Sequence, residues 1–311
     1  MRVTNNTFPS MLINELGTLS TRQNQLQSQA ASGQRVKLPE DDPTAMRRAL
    51  DMQARSQAIG QYRTNIAQLK EIATASYSGI QAIKTVSDRA SEIATSADGT
   101  ASTASLTTYA TEVTQLIQQA VQSANTQWQG NYVFGGTQNN KPPFVVATDA
   151  SGNVTSVTYQ GNASVSTAEI AQNQTVGVQV PGANNTGSGA RGLITDSRDG
   201  ADFFNHLISL QNHLLAGDTA AISSTDISNL SKDEDNIVYQ VGSNSAIQSQ
   251  LETADAAASD QQSSFGTLVS NEVDADLSQT LVRLNETQSA YQAALQSGGT
   301  ILKQSLLNYL S

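Results

Sequence analysis

The sequence predicts a mainly α protein with a small β insertion, built as a long helical hairpin or coiled-coil rod. Three observations predict it. Leucine stripes at heptad spacing mark both ends, strand signals are confined to residues 131–198, and large apolar side chains are scarce. Hydrophobic residues make up 38% of the chain and aromatics 5%, with Trp128 as the one tryptophan. Charged residues reach only 14%. That is too little charge for ordinary disorder and too little bulk for a thick core, so long helices that each bury a narrow stripe fit best.

The first stripe runs Leu12, Leu16, Leu19, Gln23, Leu26, Ala30, Gly33, alternating steps of four and three. The last runs Leu277, Leu281, Leu284, Gln288, Tyr291, Leu295, Gly298, Leu302. A helix over 277–309 would be roughly 50 Å long. Each stripe carries a Gln in mid-run, which either fixes register or sits tolerated on a partly wet face. Neither stripe is wide enough to hold a lone helix. The two ends therefore pair with each other, with another subunit, or with both, and are expected to be disordered in the free monomer.

Between the ends, Met46, Leu50, Ile59, Ile66, Leu69, Ile80, Ile83, Val86 and Ile93 recur at a helical period until "ADGT" (97–100) breaks the run. A second helical segment follows from Leu106 to near Trp128. A third runs through Phe203, Phe204, Leu207, Leu210 and Leu214 to Gly217. The last two carry Ile227 to Val241 and Ile247 to Ala254. In 131–198, "NYVFGGTQNNKPPF" stops any helix. "FVVATDASGNVTSVTYQG" reads as two strands around a Ser-Gly-Asn turn, "TVGVQVPG" as another short strand, and "GANNTGSGARG" as a loop. The predicted partition is 1–42 (N-terminal coiled-coil segment and linker), 43–130 (helical), 131–198 (β-rich, projecting outward), 199–270 (helical) and 271–311 (C-terminal coiled-coil segment).

The most informative stretch is "SGQRVKLPEDDPTAM" (32–46). Gly33 is placed to end the first helix in the left-handed conformation. Pro39 keeps the connector extended. Asp42 before Pro43 is the pattern of an N-cap followed by proline at the first helical position. Glu40, Asp41 and Asp42 also face the positive end of the next helix dipole. One helix stops and another starts here, and that alone implies no function.

Composition excludes several function classes. The formal net charge of −10, with 17 Lys and Arg, supplies no basic face for nucleic acid. Without cysteine there is no disulfide, thiolate nucleophile or cysteine metal site. The N-terminal segment lacks the apolar core of a secretory signal, and no apolar run is long enough for a membrane span. The chain is therefore expected to be soluble and cytoplasmic unless an export system needing no cleaved signal carries it out. An enzyme fails on inventory. The two histidines, His206 and His213, read as helix-face residues, and "KDEDN" (232–236) reads as solvated carboxylates rather than a metal site. "DASGN" (149–153) starts like a calcium loop but lacks its later Gly and Glu, and reads as a hairpin turn. No phosphate-binding loop is present, and no cofactor or metal is expected.

"ASGQRVKLPEDDPTAM" resembles the signature of the flagellin-like family, and within it the hook–filament junction members. Its matching positions here are Gly33, Arg35, Val36, Pro39, Asp41, Asp42 and Pro43. Filament members carry Asp-Asp-Ala where this chain has Asp-Asp-Pro. "NYVFGGTQNNKPPF" is similar to the junction members' exit from the helical domain, and "SEIATSADGT" resembles a flagellin helix end one residue short. "DADLSQTLVRLNETQSAYQAALQSGGTILKQSLLNYLS" resembles the junction members' ending, with its Ser-Leu-Leu-x-Tyr-Leu close. The resemblance covers about 1–145 and 200–311.

It implies a structural, non-enzymatic protein of the bacterial flagellum that self-assembles in a ring of the axial structure. Its assembly seam would be Leu12, Leu16, Leu19, Leu26, Leu277, Leu281, Leu284, Tyr291, Leu295 and Leu302. The implied partners are further copies of itself, a neighbouring hook-associated protein, flagellin, and an export chaperone that holds the C-terminal segment. The implied location is extracellular, reached through the flagellum's own channel. The alternative is a filament flagellin that builds the propeller itself.

Overall fold

The computed structural model describes residues 7–97 and 99–310. In chain order the elements are α1 (Thr7–Ser32), α2 (Pro43–Ser96), α3 (Thr103–Ala124), then nine short strands. These are β1 (Gln127–Trp128), β2 (Asn131–Tyr132), β3 (Phe144–Thr148), β4 (Val154–Tyr159), β5 (Ala168–Ala171), β6 (Gln174–Val176), β7 (Ala183–Asn184), β8 (Thr195–Asp196) and β9 (Ala201–Asp202). Next come α4 (Phe203–Ala216) and α5 (Thr219–Ala221), a π-helical segment (Ile222–Asp226), α6 (Ile227–Val273) and α7 (Leu277–Leu310). The chain is thus mainly α with a small β insertion, as its periodicities predict. Among the described residues no helix is long and apolar enough to cross a membrane. The residues group into two compact units, Ile59–Asp260 and the pair Met1–Ala58 with Gln261–Ser311.

In the unit Ile59–Asp260, one core gathers Ile80, Ile83, Val86 and Ile93 of α2 with Val113 and Ile117 of α3 and Phe203, Leu207 and Leu210 of α4. Phe134, Phe144 and Val154 enter the same core from the β region. A smaller cluster joins Ile66 and Leu69 of α2 to Ile170, Val178 and Leu251. The helical period is visible in these side chains because each helix must bury one face to persist.

The β region consists of four small sheets. Strands β3 and β4 form an antiparallel hairpin from Phe144↔Tyr159 to Thr148↔Val154, with an irregularity at Ala147/Thr148. Its turn is the expected one: the Asp149 carboxylate accepts the amides of Ser151 (2.8 Å) and Asn153 (2.9 Å). Because the sheet has only two strands, both outer edges lack a partner strand. Two amide side chains substitute for one. Asn125, the C-cap of α3, donates to the Phe144 carbonyl at 2.9 Å and accepts the Phe144 amide at 3.0 Å. Gln211 of α4 donates to the Val154 carbonyl (3.1 Å) and accepts the Val154 amide (3.3 Å) and the Thr114 hydroxyl (2.8 Å). Each amide imitates a backbone pair and fastens one strand edge to the helices.

Three local expectations shift. The helix expected to reach Trp128 ends at Ala124, and Trp128 lies in β1. The strand expected in "TVGVQVPG" stops at Val176. Beyond it Val178 and Val180 are buried singly as plugs rather than along a paired strand. The two helical runs expected over 227–254 are one continuous helix, α6, because Gly242 faces no neighbouring atom and nothing forces a break there.

Candidate functional site

The unit formed by Met1–Ala58 and Gln261–Ser311 contains both ends of the chain and two helix breaks, 33–42 and 274–276. Gly33 ends α1 at φ +71°, its amide still bonded to the Gln29 carbonyl at 2.8 Å. A left-handed residue is needed there, and only glycine adopts it without strain. Val36 then turns inward and is buried, anchoring the connector. Pro39 occupies a turn closed by the Asp41 amide donating to the Leu38 carbonyl at 3.0 Å. The Asp41 carboxylate accepts the amides of Leu38 (2.9 Å) and Lys37 (3.0 Å). Asp42 caps α2, accepting the amides of Ala45 (3.0 Å) and Thr44 (3.2 Å), and Pro43 opens the helix where no amide is required.

These contacts set the local charge. The Leu38 amide, followed by that of Lys37, holds Asp41 below the ordinary carboxylate value of 3.8. The Ala45 amide and the Arg35 guanidinium do the same for Asp42, against a smaller opposing effect of burial. Both groups remain fully ionised at neutral pH.

The sequence stretch found its own internal structure but not its partner, the break between α6 and α7. Gln34 and Asp274 form an antiparallel bridge. The Arg35 amide donates to the Val273 carbonyl at 2.7 Å, and the Ala275 amide donates to the Gly33 carbonyl at 2.8 Å. Arg35 Nη2 reaches the Glu272 carbonyl at 2.7 Å, while Nη1 pairs with Asp42 at 3.3 Å. Arg48 of α2 pairs with the Glu272 carboxylate at 2.9 Å. The two breaks therefore form one small β-like junction with Arg35 at its pivot. One signal for the second break was present in the sequence: Asp276 before Leu277 is an N-cap, and its carboxylate accepts the Gln279 amide at 3.1 Å.

Helices α1 and α7 pack against each other. On α1 the stripe is the one read from the sequence: Leu26 is buried, and Leu12, Leu16, Leu19, Gln23 and Ala30 are half-buried. On α7 the packed stripe is Thr280, Leu284, Thr287, Gln288, Tyr291, Ala294 and Gly298. Leu284, Gln288, Tyr291 and Gly298 are shared with the sequence reading, while Thr280 and Ala294 are packed in place of Leu281 and Leu295. Leu277, Leu281 and Leu295 lie outside this contact, at 49%, 51% and 47% exposure. Leu302 lies outside the described side chains.

At Gly298 the fit is set by volume. A Cβ there would sit 2.2 Å from Leu12 Cδ2, so at that level the α1 leucine fills the space between the helices. Thr280 and Thr287 enter the contact at little polar cost because each hydroxyl donates back to the carbonyl four residues earlier, at 2.8 Å and 2.7 Å. The three leucines lie on a common flank of α7 beside the packed stripe, and Val282, 57% exposed, lies on another face.

Among the described residues no group of three or more His, Asp or Glu gathers as a metal site. The arrangement holds helices and presents an apolar face.

Comparison with known proteins bears on this architecture. The family described as the bacterial flagellin N-terminal helical region matches residues 3–139. No curated relative matches at the sequence level. Among solved structures, a protein of Vibrio parahaemolyticus assigned to the flagellar hook-associated proteins is 18% identical with a TM-score of 0.63, covering 75% of this chain and 100% of its own. FlgL of Bacillus cereus is 19% identical with a TM-score of 0.55, covering 70% and 97%. The flagellar junction protein FlgL of Legionella pneumophila is 14% identical with a TM-score of 0.57, covering 73% and 100%. Residues 3–139 are thus similar to the bacterial flagellin N-terminal helical region, and the chain shares its fold with these solved structures.

Proposed function

We propose that this protein is a structural component of the bacterial flagellum that self-assembles as the junction between hook and flagellin filament. It is required, in this reading, for filament attachment and motility, and it carries no catalytic activity. The observation that carries the reading is the division of labour on α7. One stripe is used up against α1, while Leu277, Leu281 and Leu295 stand exposed beside it in the same helix. An apolar stripe of this kind on a helix end is a surface waiting for a neighbour. Further copies of the chain would cover it in a ring, with a hook-associated protein on one side and flagellin on the other. The fold shared with FlgL structures supports this reading.

The route outward would be the flagellum's own channel, with a chaperone holding the C-terminal segment until export and the β-rich stretch 131–198 facing outward after assembly. A chain without cysteine and with few aromatics is compatible with threading in an extended state. A filament flagellin is the second reading, favoured by the description of the matched family as flagellin. Deletion of the gene separates the two. A junction role gives hooks that lack filaments, with flagellin shed into the medium. A filament role gives absent or shortened filaments with no excess of shed flagellin.

A further inference from the structure

Both histidines of the chain lie on one face of α4, and each is bound to a carboxylate whose side chain is wholly buried. His206 Nδ1 lies 2.7 Å from Asp233 of α6, and His213 Nδ1 lies 2.7 Å from Asp226 of the π-helical segment. Both aspartate side chains are 0% exposed. The spacing is matched, seven residues on each side, so the two pairs pin α4 at two successive levels. Neither histidine is a plain helix-face residue, and Asp233 is not a solvated carboxylate, contrary to the reading of sequence alone.

The surroundings hold the pairs in place. Asp233 also accepts the Asp202 amide at 2.8 Å, and Asp226 also accepts the Ser209 hydroxyl at 2.8 Å. The π-helical segment widens the turn at Asp226 and directs it at α4. An ionised carboxylate only accepts, so each imidazole donates from Nδ1.

We infer that His206–Asp233 is a proton-retaining latch. On folding, the unit Ile59–Asp260 takes up a proton there that the unfolded chain releases, and α4 is held on α6 more tightly in mildly acidic than in alkaline surroundings. The charged groups facing His206 are Asp233 and Lys232 from α6 and Asp202 from the turn ahead of α4. His213 faces Asp226, and Asp218 beyond the helix donates its amide to the His213 carbonyl at 2.9 Å. On the opposite side α4 meets α3 and β4 at Gln211, through the Thr114 hydroxyl and the Val154 backbone.

Burial works against a charged His206, but the hydrogen bond to Asp233 and the charges of Asp233 and Asp202 outweigh it, lifting His206 above 6.5. Burial pushes Asp233 above 3.8, against the pull of His206. The two directions agree in sign. A raised histidine contributes stability that is complete below its unfolded value of 6.5 and is lost as pH rises through the folded value. A raised aspartate likewise favours the folded chain most at low pH. The folded state therefore binds more protons than the unfolded state in two windows, from 3.8 up to the raised Asp233 value and from 6.5 up to the raised His206 value, and stability falls as pH rises through each.

The test is urea unfolding of the full chain at pH 6 and pH 8 for wild type and His206→Gln. Wild type is expected to show an unfolding constant that rises by up to about tenfold per pH unit while the extra proton is retained. His206→Gln, which can still donate a hydrogen bond but cannot titrate, shows a smaller rise. The same pH slope in His206→Gln as in wild type overturns the latch. Should His206→Gln fail to fold, imidazole proton resonances of the wild-type chain provide the second measurement. A His206 midpoint higher in the folded chain than in urea supports the latch, and an equal or lower one refutes it.

Discussion

Arg35 donates from its guanidinium to the main-chain carbonyl of Glu272 at 2.7 Å, joining two helix breaks separated by 237 residues of sequence. A carbonyl at the end of α6 has no partner within its own helix, and a cation at that terminus is favourable. The same side chain pairs with Asp42, so a single residue reads both breaks.

Replacing Arg35 by Ala should leave global melting nearly unchanged, because the side chain is half exposed and such ion pairs contribute about 0–1 kcal/mol. The junction itself should loosen. Amide exchange at Arg35, Val36 and Ala275 should accelerate severalfold, and filament attachment should weaken in vivo. Unchanged exchange at all three amides would remove Arg35 from the pivot.

Leu26→Ala and Leu295→Asp should separate internal packing from assembly. Leu26 is buried at 7% exposure, and its truncation should destabilise the α1–α7 contact by about 2–4 kcal/mol. Leu295→Asp places a charge on an exposed position and should spare helicity while abolishing incorporation into the flagellum. Circular dichroism and a motility assay read the two effects. Normal swimming in the Leu295→Asp strain would contradict the assembly role of that stripe.

The isolated subunit should show α1 and α7 exchanging amides faster than the unit Ile59–Asp260, because each terminal helix relies on a narrow stripe. Slow exchange throughout both ends in a verified monomer would oppose this expectation.

Gln211→Leu should lower stability of the unit Ile59–Asp260 by about 2–4 kcal/mol, since it leaves the Val154 amide and carbonyl and the Thr114 hydroxyl short of partners. Urea titration gives the value. Asn125→Ala should act in the same direction at the other strand edge, with the Phe144 amide exposed to exchange.

Acid should weaken the connector. Asp41 and Asp42 are held below 3.8, so the stability they add is present above the ordinary carboxylate value and lost as pH falls through their lowered ones. Carboxyl carbon shifts followed by NMR should show both titrating below pH 4. Midpoints at or above the peptide value would mean the amide contacts are not formed in solution.

Much of this was legible in the sequence. Helical period, the Gly33 stop, the Asp42-Pro43 start, the Asp149 turn and the leucine stripe of α1 are local properties, set by backbone sterics, capping and burial within a few residues. The stripe of α7 was legible only in part. Leu284, Gln288 and Tyr291 belong to it, but Thr280 and Ala294 are packed where Leu281 and Leu295 were expected, because which flank of a helix is buried depends on what the facing helix has already filled. The same limit hid His206 beside Asp233, Gln211 beside Val154 and Arg35 beside Glu272. Each is a polar group whose partner lies 27, 57 and 237 residues away, and a one-dimensional pattern records hydrophobicity far better than it records which distant donor a buried acceptor will meet. Sequence alone determined which stretches are helical and where α1 stops and α2 starts. Tertiary packing decided which of their faces are used internally and which are left over.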